Sequence, residues 1–410
     1  MSNFIGKQNP AADDDFEQIE RVGRGGFGEV WKAAVLNDKL AHQYRTSVVA
    51  LKIPKDKDTE FMLRKEILTN AALTQQLLAM DSANLVRYYD FSSYRNQIVM
   101  VMEYVPGGSL RTLMVANRKP KEMPIERALA IAESMLNGIV AIHAGHVLHR
   151  DIKPENILMD GDEPKLADFG IARIINPLEK ASTFTGTYPY MSPEQLNGRA
   201  EHSSDLWSFA VMLYEMLTGR LPWREVDPAP LMLEICNRQP RPPIDIRQEI
   251  PEPISEFIMT ALEKSPRKRY PNAGNMLAAL RQAKRQTSTG RTKADLDRVR
   301  QLVAEDCGGA DIEKELAALL AKHPSDARFY LLIGEYHNRR QFYDKAITIF
   351  ETGLAAVPDS AVLHWDLGFA LQAKCQKRPA AEHLRRAMAL GLDANLNQRA
   401  QMMLRVLEAE

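Results

Sequence analysis

The amino-acid sequence predicts an α+β chain in three parts: a small β-rich lobe, a larger helical lobe, and an all-α array of helical hairpins. Three observations predict it. From Phe16 to about Ile53, β-branched residues gather in short runs (Val22, Val30, Val35 and Ser47-Val48-Val49-Ala50-Leu51) around a glycine cluster, the pattern of strands joined by tight turns. Past Pro106-Gly107-Gly108 the pattern turns helical, and its longest segment, Ile125–Ala144, carries Leu129, Ala132, Leu136, Ile139 and Val140 along one stripe. Farther on, Pro324 and Pro358 lie 34 residues apart, as do Gly334 and Gly368, a spacing that belongs to stacked helix-turn-helix units.

The remaining elements follow in order. Residues 59–80 predict a helix, with Phe61, Leu63, Ile67, Leu68, Leu73, Leu77 and Leu78 at three- and four-residue spacings. Strands around Val86–Phe91 and Ile98–Tyr104 close the small lobe. Residues 284–294 are polar and without period, so they read as a linker. The expected organisation is a flexible, acidic N-terminal extension over 1–15, a first domain over 16–283, that linker, and a helical domain over 295–410.

Composition excludes several classes. A chain of 410 residues suggests two or three domains. Hydrophobic residues make up 45% and charged residues 26%, as in soluble globular proteins. Lys plus Arg and Asp plus Glu number 53 each, so no basic field points to nucleic acid or an acidic membrane; Arg267-Lys268-Arg269 reads as solvated or structural. Cys236, Cys307 and Cys375 form no CxxC pair, against a zinc ribbon or a disulfide framework and in keeping with a reducing compartment. The N-terminus has no apolar signal-like core, and no apolar run approaches the roughly 18–20 residues of a membrane helix. The chain is read as soluble and cytoplasmic, with no nucleic-acid or membrane partner.

The chemistry is concentrated in a few segments. Gly23-Arg24-Gly25-Gly26-Phe27-Gly28 places glycines where a β-hairpin can fold over a triphosphate and offer backbone N–H donors. The same letters mark dinucleotide sites, but there a helix follows, and here a strand does. Lys52 ends the strand-like Val49-Ala50-Leu51-Lys52. His149-Arg150-Asp151-Ile152-Lys153-Pro154-Glu155-Asn156 gathers an acid, a base and an amide, and Asp168-Phe169-Gly170 begins 17 residues after Asp151. Thr185-Gly186-Thr187 and Ser192-Pro193-Glu194 come next.

In this order and at these separations, residues of about 16–283 resemble the eukaryotic-type (Hanks-type) protein kinase family. The resemblance implies a bilobal fold, ATP as phosphoryl donor, and Mg2+ with Mn2+ as an alternative ion. ATP would lie against Val22, Gly23, Arg24, Gly25, Gly26, Phe27, Gly28, Val30, Ala50, Lys52 and Leu158. Met102 would be the gatekeeper, with the Glu103 carbonyl and the Val105 backbone holding adenine. Lys52 would neutralise the α- and β-phosphates and pair with Glu66, or with Glu60 as the alternative; Asn70 stands one turn after Glu66 where the family carries an apolar residue. Asp151 would accept the substrate hydroxyl proton, Lys153 would face the γ-phosphoryl group, and Asn156 and Asp168 would bind metal. Lys153 resembles the Ser/Thr branch of the family.

Further roles come by the same resemblance. His149 would be structural, Thr187 would line the substrate site, Glu194 would pair with Arg269, and Asp205 would brace the catalytic loop. Arg150 would meet a phosphate on the activation segment, for which Ser182, Thr183 and Thr185 are the acceptors. Ser109 stands near a position where some members carry an acid that reads a basic residue in the substrate.

Residues 327–360 resemble a tetratricopeptide repeat through Tyr330, Ile333-Gly334, Tyr343, Ala346, Phe350 and Pro358. Residues 361–394 fit through Leu367-Gly368, Ala380, Leu384 and Ala387, with Leu392 in place of the proline. Residues 295–326 fit in register through Leu316, Leu319 and Pro324, and Asn395–Leu407 closes the array. Such repeats imply peptide or helix partners. The expected function is a serine/threonine protein kinase acting on protein substrates; the alternative is a pseudokinase-like, nucleotide-sensing scaffold acting through its repeats.

Overall fold

Five strands lead the chain in the computed structural model, which describes residues 15–24, 28–69, 75, 78–116, 119–120, 122–168, 188–305 and 310–409. They are β1 (Phe16–Arg24), β2 (Gly28–Val35), β3 (Val48–Pro54), β4 (Tyr88–Tyr94) and β5 (Gln97–Glu103), joined antiparallel in the order β1-β2-β3-β5-β4. The β4–β5 connection turns on Arg95 and Asn96, both left-handed at φ 50° and 60°, the conformation a two-residue hairpin needs to match strand twist.

One feature differs from the strand-like reading of residues 16–53. A helix, α1 (Asp38–Tyr44), interrupts it, capped by the Asn37 side chain, which accepts from Lys39 N and Leu40 N. Tyr44 anchors that helix by stacking on Tyr89 at 5.0 Å and packing over one face of the sheet, where Val49, Leu51, Val99 and Val101 are buried. The next helix, α2 (Lys57–Thr69), starts close to the expected point, whereas β4 begins two residues later than Val86.

The larger lobe opens with α3 (Leu110–Met114), the short ribbon β6 (Val115–Ala116) and β7 (Lys119–Pro120), and then α4 (Ile125–Ala144), whose bounds match the expectation. A hairpin, β8 (Ile157–Asp160) with β9 (Glu163–Leu166), follows the His149–Asn156 loop. Then come α5 (Pro193–Leu196), α6 (His202–Thr218), α7 (Pro228–Asn237) and α8 (Glu252–Ala261). Helix α6 is buried from Ser204 to Thr218, so it forms the axis of the lobe. One apolar cluster runs from Ala50 and Met102 in the sheet through α4 and α6 to Leu280.

The expected linker is helical. Helix α9 (Ala273–Glu305) runs through residues 284–294 without a break. The missing period there reflects exposure of most of residues 285–291: where no face is buried, no apolar stripe is needed, and Lys, Arg and Gln still favour helix. The chain divides into two compact units, Met1–Arg285 and Gln286–Glu410.

The second unit is built of α10 (Ala310–Lys322), α11 (Ala327–Arg339), α12 (Tyr343–Ala356), α13 (Ala361–Ala373), α14 (Lys377–Leu390) and α15 (Ala394–Ala409), together with the end of α9. Glycines set how closely the paired helices approach. A Cβ at Gly334 would sit 2.2 Å from the Phe350 ring, one at Gly353 2.8 Å from Tyr330, and one at Gly368 2.9 Å from Leu384.

Candidate active site

The β-strand period places the lysine. Along β3, Val49 and Leu51 are buried in one cluster, and Ala50 in the other, on the opposite face of the sheet. Lys52 shares the face of Ala50 and is 7% exposed. Its Nζ lies 2.6 Å from Asp168 Oδ1, bringing together residues 116 positions apart. Burial pushes the Asp168 carboxyl up, but the Lys52 ammonium first, with further nearby positive charge such as Lys153, holds it below its ordinary value. Glu66 lies on α2, and its side chain falls outside the described residues. Glu60 accepts from Ile98 N at 3.2 Å and pairs with Arg64 at 3.6 Å.

The catalytic loop is held by its backbone. Asp205, on α6, accepts from His149 N at 2.9 Å and from Arg150 N at 2.8 Å, and also meets His143 Nε2 at 2.9 Å. Gln195 Nε2 donates to the Arg150 carbonyl at 3.0 Å. These contacts support Arg150 in a left-handed conformation, φ 67°, which a side chain adopts only when its surroundings compensate the strain. The buried His149 ring joins two loops: Nδ1 accepts from Asp151 N at 3.2 Å, and Nε2 meets the Ala167 carbonyl at 2.9 Å. The first contact requires a lone pair on Nδ1 and the second a proton on Nε2, so the ring is neutral and structural.

Asp151 is thereby set with one oxygen committed and one without a partner among the described residues. Its Oδ2 meets Lys153 Nζ at 2.9 Å and Asn156 Nδ2 at 3.0 Å. Its Oδ1 is buried and, among the described residues, has no hydrogen-bond partner. Asn156 also donates to the Asp151 carbonyl at 2.7 Å; with both amide hydrogens used, its Oδ1 turns away as an acceptor. Asn156 Oδ1 and the ionised Asp168 are oxygen donors of the kind a hard divalent cation takes alongside phosphate, so these residues fit the metal that the sequence implied.

The side of the site lined by β2, β3 and β5 is apolar. Ala50, Met102 and Val105 are buried in one cluster, against which Val30 and Leu158 pack. Glu103 ends β5, its backbone N donating to the Arg87 carbonyl and its carboxylate paired with Lys165 at 2.9 Å. In the glycine segment, Gly23 faces Val30 across the β1–β2 ladder, Arg24 ends β1, and Val22 is 45% exposed. Gly28 is required by packing: a Cβ there would fall 1.8 Å from the Ile53 carbonyl oxygen. Gly25, Gly26 and Phe27 lie outside the described residues, as do Thr187 and the acceptors Ser182, Thr183 and Thr185.

Glu194 and Arg269 form the expected ion pair, at 2.7 and 2.9 Å between both oxygens and both terminal nitrogens. A second charge network was missed. Arg111 on α3 reaches Glu155, Tyr190 and Glu215, residues 44, 79 and 104 positions away; no local pattern signals such a contact.

A β-sheet lobe and a helical lobe meet at a Lys–Asp pair and a loop anchored by Asp205. The family model described as "Protein kinase domain" matches residues 16–280, and the chain belongs to that family. It is 32% identical over 269 residues to a probable serine/threonine-protein kinase of Clostridium acetobutylicum, covering 65% of this chain and 39% of that protein. It is 30% identical over 280 residues to the serine/threonine-protein kinase pkn2 of Myxococcus xanthus, covering 65% of this chain and 32% of that protein. The match thus spans about a third to two-fifths of these relatives. A crystal structure of Rad53 1-466 in complex with AMP-PNP is similar, with a TM-score of 0.50 and 28% identity over 64% of each chain.

Proposed function

We propose that this chain is a serine/threonine protein kinase that transfers the γ-phosphoryl group of ATP to hydroxyls of protein substrates. The observation that carries the reading is Asp151, with Oδ2 fixed by Lys153 and Asn156 and Oδ1 buried without a partner among the described residues. In this reading the substrate hydroxyl lies against Oδ1, which orients it in line and takes its proton as the new O–P bond forms. Lys153 pairs with Asp151 Oδ2 and lies beside the transferring group. Lys52, neutralised in part by Asp168, holds the donor's phosphates. Bound Mg2+ supplies charge screening for those phosphates. Asn156 and Asp168 would hold it, and Ala50, Met102, Val105, Val30 and Leu158 would enclose the adenine. The intact set Lys52, Asp151, Asn156 and Asp168 favours an active enzyme over a nucleotide-sensing scaffold.

Two regulatory features belong to the same reading. Activation-segment residues Ser182, Thr183 and Thr185 are proposed autophosphorylation sites, with Arg150 as phosphate partner. The helical unit is proposed to be a tetratricopeptide-like array that recruits protein partners; the 34-residue spacing and the close contacts at Gly334, Gly353 and Gly368 support this. The proposed setting is the cytoplasm; among the described residues, no helix is long and apolar enough to cross a membrane.

Purified protein incubated with labelled ATP and Mg2+ tests the reading. Wild type should label itself on a peptide containing Ser182, Thr183 or Thr185, and should label a generic protein substrate. Asp151→Asn should lose at least 100-fold in phosphate transfer while binding Mg-ATP as wild type does. A wild-type protein that binds Mg-ATP yet labels nothing would establish the scaffold instead.

A further inference from the structure

The peptide unit that joins Arg150 to Asp151 is gripped from both sides. A trans peptide points its C=O and its N–H in opposite directions. Here the N–H, on Asp151, donates to His149 Nδ1 at 3.2 Å, and the C=O, on Arg150, accepts from Gln195 Nε2 at 3.0 Å. The second bond matters because Arg150 sits at φ 67°, a conformation that persists only where its surroundings hold it. Loosening this unit loosens the Asp151 side chain that leaves from its end.

Gln195 is itself a fixed point. It lies on α5, where its Oε1 accepts from Ser192 N at 3.1 Å while Ser192 Oγ accepts from Gln195 N at 3.3 Å, a reciprocal capping box. The residue before it, Glu194, is tied to Arg269 through both oxygens. The amide fits in one orientation alone: reversed, it would set its NH2 against the Ser192 N–H and its oxygen against the Arg150 carbonyl. Capping α5 uses only the oxygen. The NH2 group serves the loop, and through it one side chain joins segments 45 positions apart.

We propose that Gln195 is a positioning residue for phosphoryl transfer, an inference that rests on the reading of Asp151 as the group that takes the substrate hydroxyl proton. Its amide fixes the peptide that carries Asp151 against Ser192, at the end of the activation segment. A shift of that segment therefore reaches the Asp151 carboxylate through a single side chain.

Gln195→Glu separates positioning from capping. It keeps an oxygen to cap α5 and loses the donor to Arg150. The introduced carboxylate faces a carbonyl oxygen, which disfavours the ionised form and raises its pKa above the ordinary value of roughly 4.3. As pH falls the acid protonates, and its O–H can then donate to the Arg150 carbonyl and restore the bond. The measurement is kcat at saturating Mg-ATP with casein as substrate, each variant divided by wild type at the same pH. Arg150, Asp151, Glu194 and Asp205 are present in both proteins, so their titration cancels in the ratio to first order. At about pH 8, Gln195→Glu should keep about a tenth or less of wild-type kcat, with the KM for ATP within about twofold. By about pH 5.5 the ratio should rise about threefold or more. Gln195→Leu, with no donor at any pH, should lose as much and recover nothing. A residue that only caps α5 would leave Gln195→Glu near wild type at every pH, and a general loss of packing would leave both variants low and flat; either result overturns the proposal. A second measurement needs no turnover: amide hydrogen exchange across residues 148–152 should be faster in Gln195→Leu than in wild type, with exchange in α6 unchanged, and equal exchange across 148–152 also overturns it. Should wild type phosphorylate nothing, the kinase reading falls, while the exchange result still decides whether Gln195 holds this peptide.

Discussion

Arg269 has no exposed side-chain area. Besides both oxygens of Glu194, it donates to the carbonyls of Glu263, Ser203 and Lys264, and its guanidinium lies 4.7 Å from the centre of the Trp207 ring. Burial would push the Glu194 carboxyl up; Arg269, with help from Ser204, pulls it below its ordinary value. A carboxyl lowered in the folded state contributes stability above its unfolded pKa of roughly 4.3, and loses it as pH falls through the lowered value. Arg269→Ala removes the partner and leaves burial alone, which reverses the sign. The variant should be destabilised by about 3–5 kcal/mol near neutral pH, and by clearly less at pH 5, where Glu194 can protonate. Urea unfolding at both pH values checks this; an equal loss at both would mean that Glu194 does not govern the cost. This pair was legible in the sequence because both residues sit in recognisable segments. Arg111 was not, because its partners are assembled only by the fold.

Asp366 shows electrostatics acting between elements. It sits on α13, with Glu335 on α11 and Arg399 on α15 acting on it, and its Oδ2 is buried without a donor among the described residues. Burial first, and then Glu335, push its carboxyl up to about 7, against a smaller opposing pull from Arg399. Here the folded state binds the proton more tightly than the unfolded chain, so the group costs stability increasingly as pH rises from about 4 towards 7. Asp366→Asn should therefore stabilise the helical unit by about 2 kcal/mol at pH 8 and have little effect at pH 4.5. His337, His364 and His383, all lowered chiefly by burial, titrate in wild type and variant alike and cancel in the difference to first order. Thermal unfolding at the two pH values measures it, and a pH-independent difference would reject the assignment. Legibility at this scale followed burial: α4, amphipathic and packed, was read to the residue, whereas α1, seven residues fixed by a side-chain cap and one tyrosine, left no period to read.

At the scale of the molecule, α9 carries the chain from the residues of the first unit into those of the second, through the stretch where a linker was expected. The sequence there lacks a buried face, so periodicity was silent, and Thr287, Ser288, Thr289, Gly290 and Thr292 lower its helix propensity, although no proline breaks it. Gly290 is its weakest residue, and a Cβ there would meet nothing within 4 Å. Gly290→Ala should stabilise α9 by about 0.5–1 kcal/mol, read as slower amide hydrogen exchange across residues 286–295; unchanged or faster exchange would mean that the helix does not persist there. The division into two units, and the segments that supply Lys52, Asp151, Asn156 and Asp168, were legible because spacing encodes them. The geometry around those residues has a consequence of its own. The one ring proton of His149 is held against Ala167 inside a side chain with no solvent exposure, while Nδ1 is occupied by Asp151. Water can replace that proton only when the loop lifts away from Ala167. Isotope exchange at that imidazole nitrogen therefore reports how readily the loop that bears Asp151 opens.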